Sequence, residues 1–225
     1  MTDLSFLAWP DVAAAASQSV LAIPVGSTEQ HGPHLPLSTD TDIAVALTRR
    51  LAEVRSDVMV APALSYGSSG EHAGFPGTLS IGQAALELLV VELVRSADAF
   101  AGVLLVSAHG GNVLPLGRAV DQLISEGRRV RLWGMPATES ADAHAGRTET
   151  SVLLAIRPEA VRTSRAEGGV TEPLHQLLPE LRLHGVASVS PNGVLGDPTG
   201  ASGTEGLRLM SWWSGRLLQA IQGWP

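Results

Sequence analysis

The 225-residue chain contains no cysteine. That absence excludes a cysteine nucleophile, a thiolate zinc site, an iron–sulfur cluster, a disulfide framework and a CxxC redox pair. Lysine is absent too, so all 15 basic residues are arginine. A Schiff-base lysine, a pyridoxal phosphate anchor, a Walker-type P-loop and a Ser–Lys dyad are therefore excluded. Codon bias toward GC-rich arginine codons is a sufficient cause of the lysine gap. Long apolar runs are also missing, and none approaches the ~20 residues of a membrane span. Asp3 and Asp11 stand where a signal peptide would carry positive charge, so the expected compartment is the cytoplasm, with no membrane partner. Positive charge is scarce as well. The 22 Asp and Glu against 15 Arg leave a net charge of −7, with no dense basic cluster, and nucleic acid is not an expected partner. Catalysis, if present, must run on carboxylates, the 7 histidines, hydroxyls, backbone or metal.

What is present points to an ordered globule. Apolar residues make up 44% of the chain, its length suits one domain over residues 1–225, and neither repeats nor low-complexity linkers divide it. Short continuous apolar runs at Val20–Val25, Val58–Ala61, Gly102–Val106 and Val130–Trp133 read as buried strands. Between them lie helical periodicities over Asp42–Val54, Ile81–Phe100 and Val113–Ser125, and a last helix is expected from about Thr204 to Gln222. Strands alternating with helices predict an α/β fold, a three-layer sandwich around a mostly parallel sheet. Residues 158–200, rich in Pro and Gly turns, carry a weaker signal and leave open whether they form a lid.

In such sheets ligands bind beyond the carboxyl ends of the strands. Five of the seven histidines fall in the four loops that follow the strands: His31 and His34, His72, His109 and His144. Glu29 and His31, two apart in extended backbone, point to the same side, and Asp40 follows nearby. Glu29, His31, Asp40 and His109 thus read as metal ligands of all-nitrogen, all-oxygen character, suited to Zn, Mn or Fe(II). Asn112, after two glycines, is placed to fix the turn or to orient a ligand. His72 and Phe75 are expected to shape a substrate mouth. His144 is the candidate proton donor, since histidine titrates in the useful range. Taken singly, these elements have plainer readings. Glu-x-His or His-Gly-Gly-Asn alone is more often a turn, His72 could be a packed loop histidine, and His144 with Glu149 could be a capping arrangement at a helix start. Trp212-Trp213 reads as core or subunit interface, and His175 and His184 as surface. The coincidence of four loops on one sheet edge is what favours a site.

The segment from Val25 to Leu37, containing Gly26-Ser27-Thr28-Glu29-Gln30-His31-Gly32-Pro33-His34, together with Asp40, resembles the signature of the creatininase (creatinine amidohydrolase) family. Phe75-Pro76-Gly77-Thr78, His109-Gly110-Gly111-Asn112 and His144-Ala145-Gly146 with Glu149 match its later blocks in order. The resemblance implies a creatininase-like fold, a homo-oligomer and one or two divalent ions, in which Glu29 and His109 bind one ion, His31 the other, and Asp40 bridges. An acidic residue that binds metal in creatininase is Gly111 here, which leaves one ion a carboxylate short unless Glu149 supplies it. Such ions acidify water and polarise an amide carbonyl. The Ser190–Pro198 segment is similar to the branch of the family encoded with mycofactocin biosynthesis, whose members release a modified C-terminal Val–Tyr-derived unit from a ribosomally made precursor peptide. That branch implies a modified precursor peptide as substrate. Creatinine or formamide hydrolysis within the family, or a non-catalytic metal-binding scaffold, are the alternatives. A nucleotide-binding dehydrogenase ranks low, because no Gly-x-Gly-x-x-Gly follows the first expected strand.

Overall fold

The computed structural model describes residues 2–136 and 142–224. In chain order the strands are β1 (Thr2–Asp3), β2 (Val20–Val25), β3 (Val58–Val60), β4 (Gly102–Ser107) and β5 (Val130–Gly134). The helices are α1 (Trp9–Ala15), α2 (Thr39–Val54), α3 (Gln83–Arg95), α4 (Val113–Ser125), α5 (Arg147–Ile156), α6 (Leu174–His184), α7 (Val186–Val189) and α8 (Gly203–Ala220). The sheet order is β1, β3, β2, β4, β5, with every neighbouring pair parallel. Its spine is β2 beside β4, in register from Val20 opposite Gly102 to Val25 opposite Ser107.

Both spine strands are buried along their whole length, which is why their sequences are continuously apolar. Their side chains alternate between two cores. Val20, Ala22, Leu104 and Val106 pack into one with Ile43 and Leu47 of α2, Leu153 of α5 and Trp213 of α8. Leu21, Ile23, Val103 and Leu105 pack into the other with Leu86 and Val90 of α3 and Leu116 of α4. Each fully buried Leu or Ile contributes roughly 1.5–3 kcal/mol relative to exposure. The result is the expected three-layer α/β sandwich.

Two expected helix boundaries shift, and a helix appears where none was expected. α2 begins at Thr39, not Asp42, because the polar turn Thr39-Asp40-Thr41-Asp42 continues the helix, with two acids at its positive end. α3 stops at Arg95, short of Phe100. Within the weak region, α6 forms despite an internal Pro179 and packs with α7 around Leu181, Val186 and Leu195. Among the described residues, no helix is long and apolar enough to cross a membrane. From β2 the chain passes to α2 on one face, and from β4 to α4 on the other. The crevice between these diverging exits is the expected place for a ligand.

Candidate active site

The exits of β2, β3 and β4, and the entry to α5, bring polar side chains to that crevice. The loop after β2 supplies Glu29 and His31, and the first turn of α2 supplies Asp40. A short turn after β3 (Gly70–His72) supplies His72, and the residue two past β4 is His109. His144 lies just before α5, and Glu149 sits in the first turn of that helix. Glu29, His31, Asp40, His72, His109 and His144 are all buried. His31 Nε2 lies 3.1 Å from Asp40 Oδ1, 3.9 Å from Glu149 Oε2 and 4.0 Å from Glu29 Oε1. His109 Nδ1 is 3.1 Å from Asp40 Oδ2, and its Nε2 is 3.2 Å from Glu29 Oε2. His72 Nε2 and His144 Nδ1 stand 3.5 and 3.8 Å from Glu29 Oε1.

The electrostatics of this cluster call for a cation. Both oxygens of Glu29 are buried without a hydrogen-bond partner, although imidazoles surround them. A buried carboxylate in that condition is costly unless something positive completes it. Burial, and then the charge of Asp40, push Glu29 up to about 7. Burial likewise raises Glu149. Burial opposes ionisation of Asp40 too, but His31 and His109 outweigh it and hold Asp40 well below the usual carboxylate range. Burial also works against protonating His31 and His109, yet the carboxylates around them lift both to about 10. In protein alone, two imidazolium ions stand in for missing positive charge. Three triads offer ligand atoms within 4.8 Å of one another: Glu29, His31 and Asp40; His31, His144 and Glu149; and Glu29, His72 and His144. An all-nitrogen and all-oxygen donor set of this charge fits a divalent metal.

Supporting contacts fix the loops. Asn112 donates to Gly26 O and accepts from Ser68 N–H, each at 2.9 Å, while Ser68 O accepts from His109 Nε2 at 2.9 Å. Asn112 thus orients His109 through the Ser68 backbone. Ser27 Oγ donates to Asp40 Oδ2 at 2.7 Å. Glu149 Oε2 accepts from Ala145 N–H at 2.6 Å, so this residue caps its helix and faces His31 at once. His144 is held in an antiparallel bridge to Leu195, and Ala145 after it adopts a positive φ of 53°, a strained conformation for a residue with a side chain. A Cβ on Gly111 would fall 2.2 Å from Ser68 O, 2.5 Å from His109 Nε2 and 2.7 Å from Glu71 Oε1. An acidic side chain has no room there, and the carboxylate of Glu71 comes up to that space instead.

A cavity of about 860 Å³ opens onto the cluster, lined by Glu29, Asp40, His72, His109, His144 and Glu149 on one side. Leu174, Leu178 and Leu181 of α6 form an opposing wall. Phe75 is not among the described lining residues. It packs with Leu181, Val186 and Leu195 behind that wall. His34 turns away from the cluster and bonds Thr150 Oγ1 at 2.8 Å. His184, expected as surface, is exposed but lies on the cavity rim. Of the tryptophan pair, Trp213 is core at 1% exposure and Trp212 is exposed at 45%. Sequence reasoning passed over Gln30, Ser27 and Glu71. The first two looked like spacers in the motif, and only the tertiary fold brings Glu71 beside His109.

This fold and site define a metal-hydrolase architecture, and the comparisons agree. The family model described as creatininase, creatinine amidohydrolase, matches residues 5–221. The mycofactocin precursor peptide peptidase of Mycolicibacterium smegmatis is 50% identical over 211 residues, covering 91% of this chain and 85% of that protein. The creatinine amidohydrolase of Pseudomonas putida is 28% identical over 191 residues, covering 71% of this chain and 73% of its own. A crystal structure of creatinine amidohydrolase superimposes with a TM-score of 0.84 at 26% identity, covering 100% of this chain and 98% of the other. The chain belongs to the creatininase family.

Proposed function

We propose that this protein is a divalent-metal-dependent peptidase that hydrolyses an amide bond in a modified precursor peptide, releasing its C-terminal Val–Tyr-derived unit. The observation that carries the hydrolase reading is the pair of buried, unbonded Glu29 oxygens facing four imidazoles at the floor of the cavity. The half-identical peptidase relative, against a creatinine amidohydrolase at 28%, favours a peptide over creatinine. Glu29, His31, Asp40, His109 and Glu149 would hold one or two ions of Zn, Fe or Mn, with Glu149 making good the carboxylate absent at Gly111.

A divalent ion, when bound, supplies Lewis acidity at the scissile carbonyl and lowers the pKa of a water molecule. The protein's part is to place the other groups. His144 donates Nε2–H to Gln30 O at 2.8 Å, so its Nδ1 lone pair faces the cluster. That nitrogen takes the proton of the attacking water and returns it to the leaving nitrogen as the C–N bond breaks. The leucine wall of α6 excludes water and packs against apolar substrate side chains, with Phe75 supporting it. One domain over residues 1–225, a cytoplasmic location and a homo-oligomer complete the reading. The exposed Phe6 and Trp9, at 86% and 80%, support an interface between subunits.

The test is incubation of the metal-loaded protein with the modified precursor peptide and, separately, with creatinine, each with and without chelator. Chelator-sensitive release of the C-terminal fragment, detected by mass spectrometry, is expected. Absence of that release would sink the peptidase reading, and turnover of creatinine alone would move the substrate within the family.

A further inference from the structure

Hydrogen bonds to the backbone sort the four cluster histidines into two kinds. His31 Nδ1 faces Glu29 O at 3.2 Å, His109 Nε2 faces Ser68 O at 2.9 Å, and His144 Nε2 faces Gln30 O at 2.8 Å. A carbonyl oxygen only accepts, so each of those nitrogens carries the ring proton. The opposite nitrogen of each ring faces the carboxylates; in His31 and His109 it is the atom that an ion would take in exchange for a proton, and in His144 it is the base of the proposed reaction. His72 differs. Its Nδ1 lies 2.9 Å from Gln30 Nε2.

The orientation of the Gln30 amide is fixed independently of any histidine. Its Oε1 accepts from Gly32 N–H at 2.8 Å, and its Nε2 donates to Gly193 O at 3.0 Å. One backbone donor and one backbone acceptor leave no freedom to exchange oxygen and nitrogen. The second amide hydrogen therefore points to His72 Nδ1, which must be the unprotonated nitrogen. His144 Nε2, at 3.2 Å from the same amide nitrogen, has its own proton engaged by Gln30 O and does not compete as an acceptor. Consequently His72 carries its proton on Nε2, the nitrogen that faces Glu29, in a ring that lines the cavity.

We propose that Gln30 is a positioning residue that locks His72 as an N–H donor, so that His72 binds the carbonyl oxygen of the substrate instead of a metal ion. This rests on the amide-hydrolase reading of the site. In the reaction His72 would donate to the oxygen that gains negative charge as water adds to the carbonyl, and would hold it until the C–N bond breaks. Gln30 reaches across to Gly193 as well, so the 190–196 segment and the donor histidine are set by one buried amide.

The test uses zinc-loaded protein labelled with ¹⁵N in histidine, with long-range ¹H–¹⁵N spectra assigned by loss of the His72 signal in His72→Gln. His72 is expected to show a protonated Nε2 and a bare Nδ1. Gln30→Glu, which places an acceptor opposite Nδ1, should move the proton to Nδ1 and lower kcat roughly 100-fold, with metal content kept. Should Gln30→Glu fail to fold, a second pair decides. His72→Gln, which retains an N–H donor, should keep more of kcat than His72→Leu, and both should hold the wild-type amount of zinc. A protonated Nδ1 in the wild type, or loss of zinc in His72→Leu, would overturn the proposal. The correct tautomer without turnover of the precursor peptide would count against the substrate reading alone.

Discussion

At the scale of the residue, the molecule separates histidines that are chemically alike by what each ring touches. His109 meets Asp40 through Nδ1, and its Nε2 lies near both Ser68 O and Glu29. Removing that ring leaves Glu29 and Asp40 facing each other with one fewer nitrogen between them. His109→Ala is expected to weaken zinc binding by at least tenfold in chelator competition; full metal retention would remove it from the ligand set. His34 is buried, outside this cluster, and bonded to Thr150. Burial, and then the charge of His31, lower it to about 4. A histidine whose folded pKa is depressed favours the native state above its unfolded value near 6.5, and that contribution fades as pH falls toward 4. Urea denaturation across this window should show stability rising with pH, with His34 responsible for up to roughly 2–3 kcal/mol. His34→Gln should flatten that part of the slope relative to wild type, a difference in which the shared metal cluster largely cancels. An unchanged slope would exclude His34 as its source.

At the scale of the element, legibility followed periodicity. The limits of β2 and α4 are plain in the sequence because each is bounded where an apolar pattern starts and stops. The first turn of α2 carries no apolar period, so Asp40 reads as a loop residue although it is helical. α6 is hidden by Pro179 and by partial exposure of its leucines, and the two-residue β1 is too short to carry a pattern. The ligand-type residues were legible from their chemistry and spacing. Gln30 was not, because its role depends on Gly193 and His72, far apart in sequence and brought together only by folding. The close approach of β2's exit to α2 is legible only in three dimensions. A Cβ on Gly26 would fall 2.3–2.4 Å from Thr41 Oγ1, Cα and N, mostly backbone that cannot yield. Gly26→Ala should therefore push α2 and its Asp40 outward, costing about 2–3 kcal/mol in denaturant unfolding and weakening metal binding in the same protein. A neutral effect on both would mean that this junction is more compliant than its packing indicates.

At the scale of the whole molecule, the absence of thiols and amines leaves one sheet edge to carry the chemistry, and folding must gather three carboxylates there. Glu29, Asp40 and Glu149 arrive from the β2 loop, α2 and α5, so closing the sandwich brings their charges within the same few ångströms. Burial and mutual repulsion, visible in the raised Glu29, oppose this step, and protonated His31 and His109 offset them only in part. A bound divalent ion should thus stabilise the fold as a whole, by about 4 kcal/mol at a thousand times its dissociation constant. For a chain of this size that corresponds to a rise of roughly 8–16 °C in Tm. Scanning calorimetry of the zinc-loaded and chelated protein should show this gap. Glu29→Gln should close it from both ends. The variant loses a ligand, so zinc gains it less, and it removes a buried carboxylate with no hydrogen-bond partner, so its metal-free form should melt above the metal-free wild type. Both shifts must appear together. If the metal-free variant melted below the metal-free wild type, the carboxylate would already be compensated by the imidazolium ions around it, and the cluster would not depend on a cation for its stability.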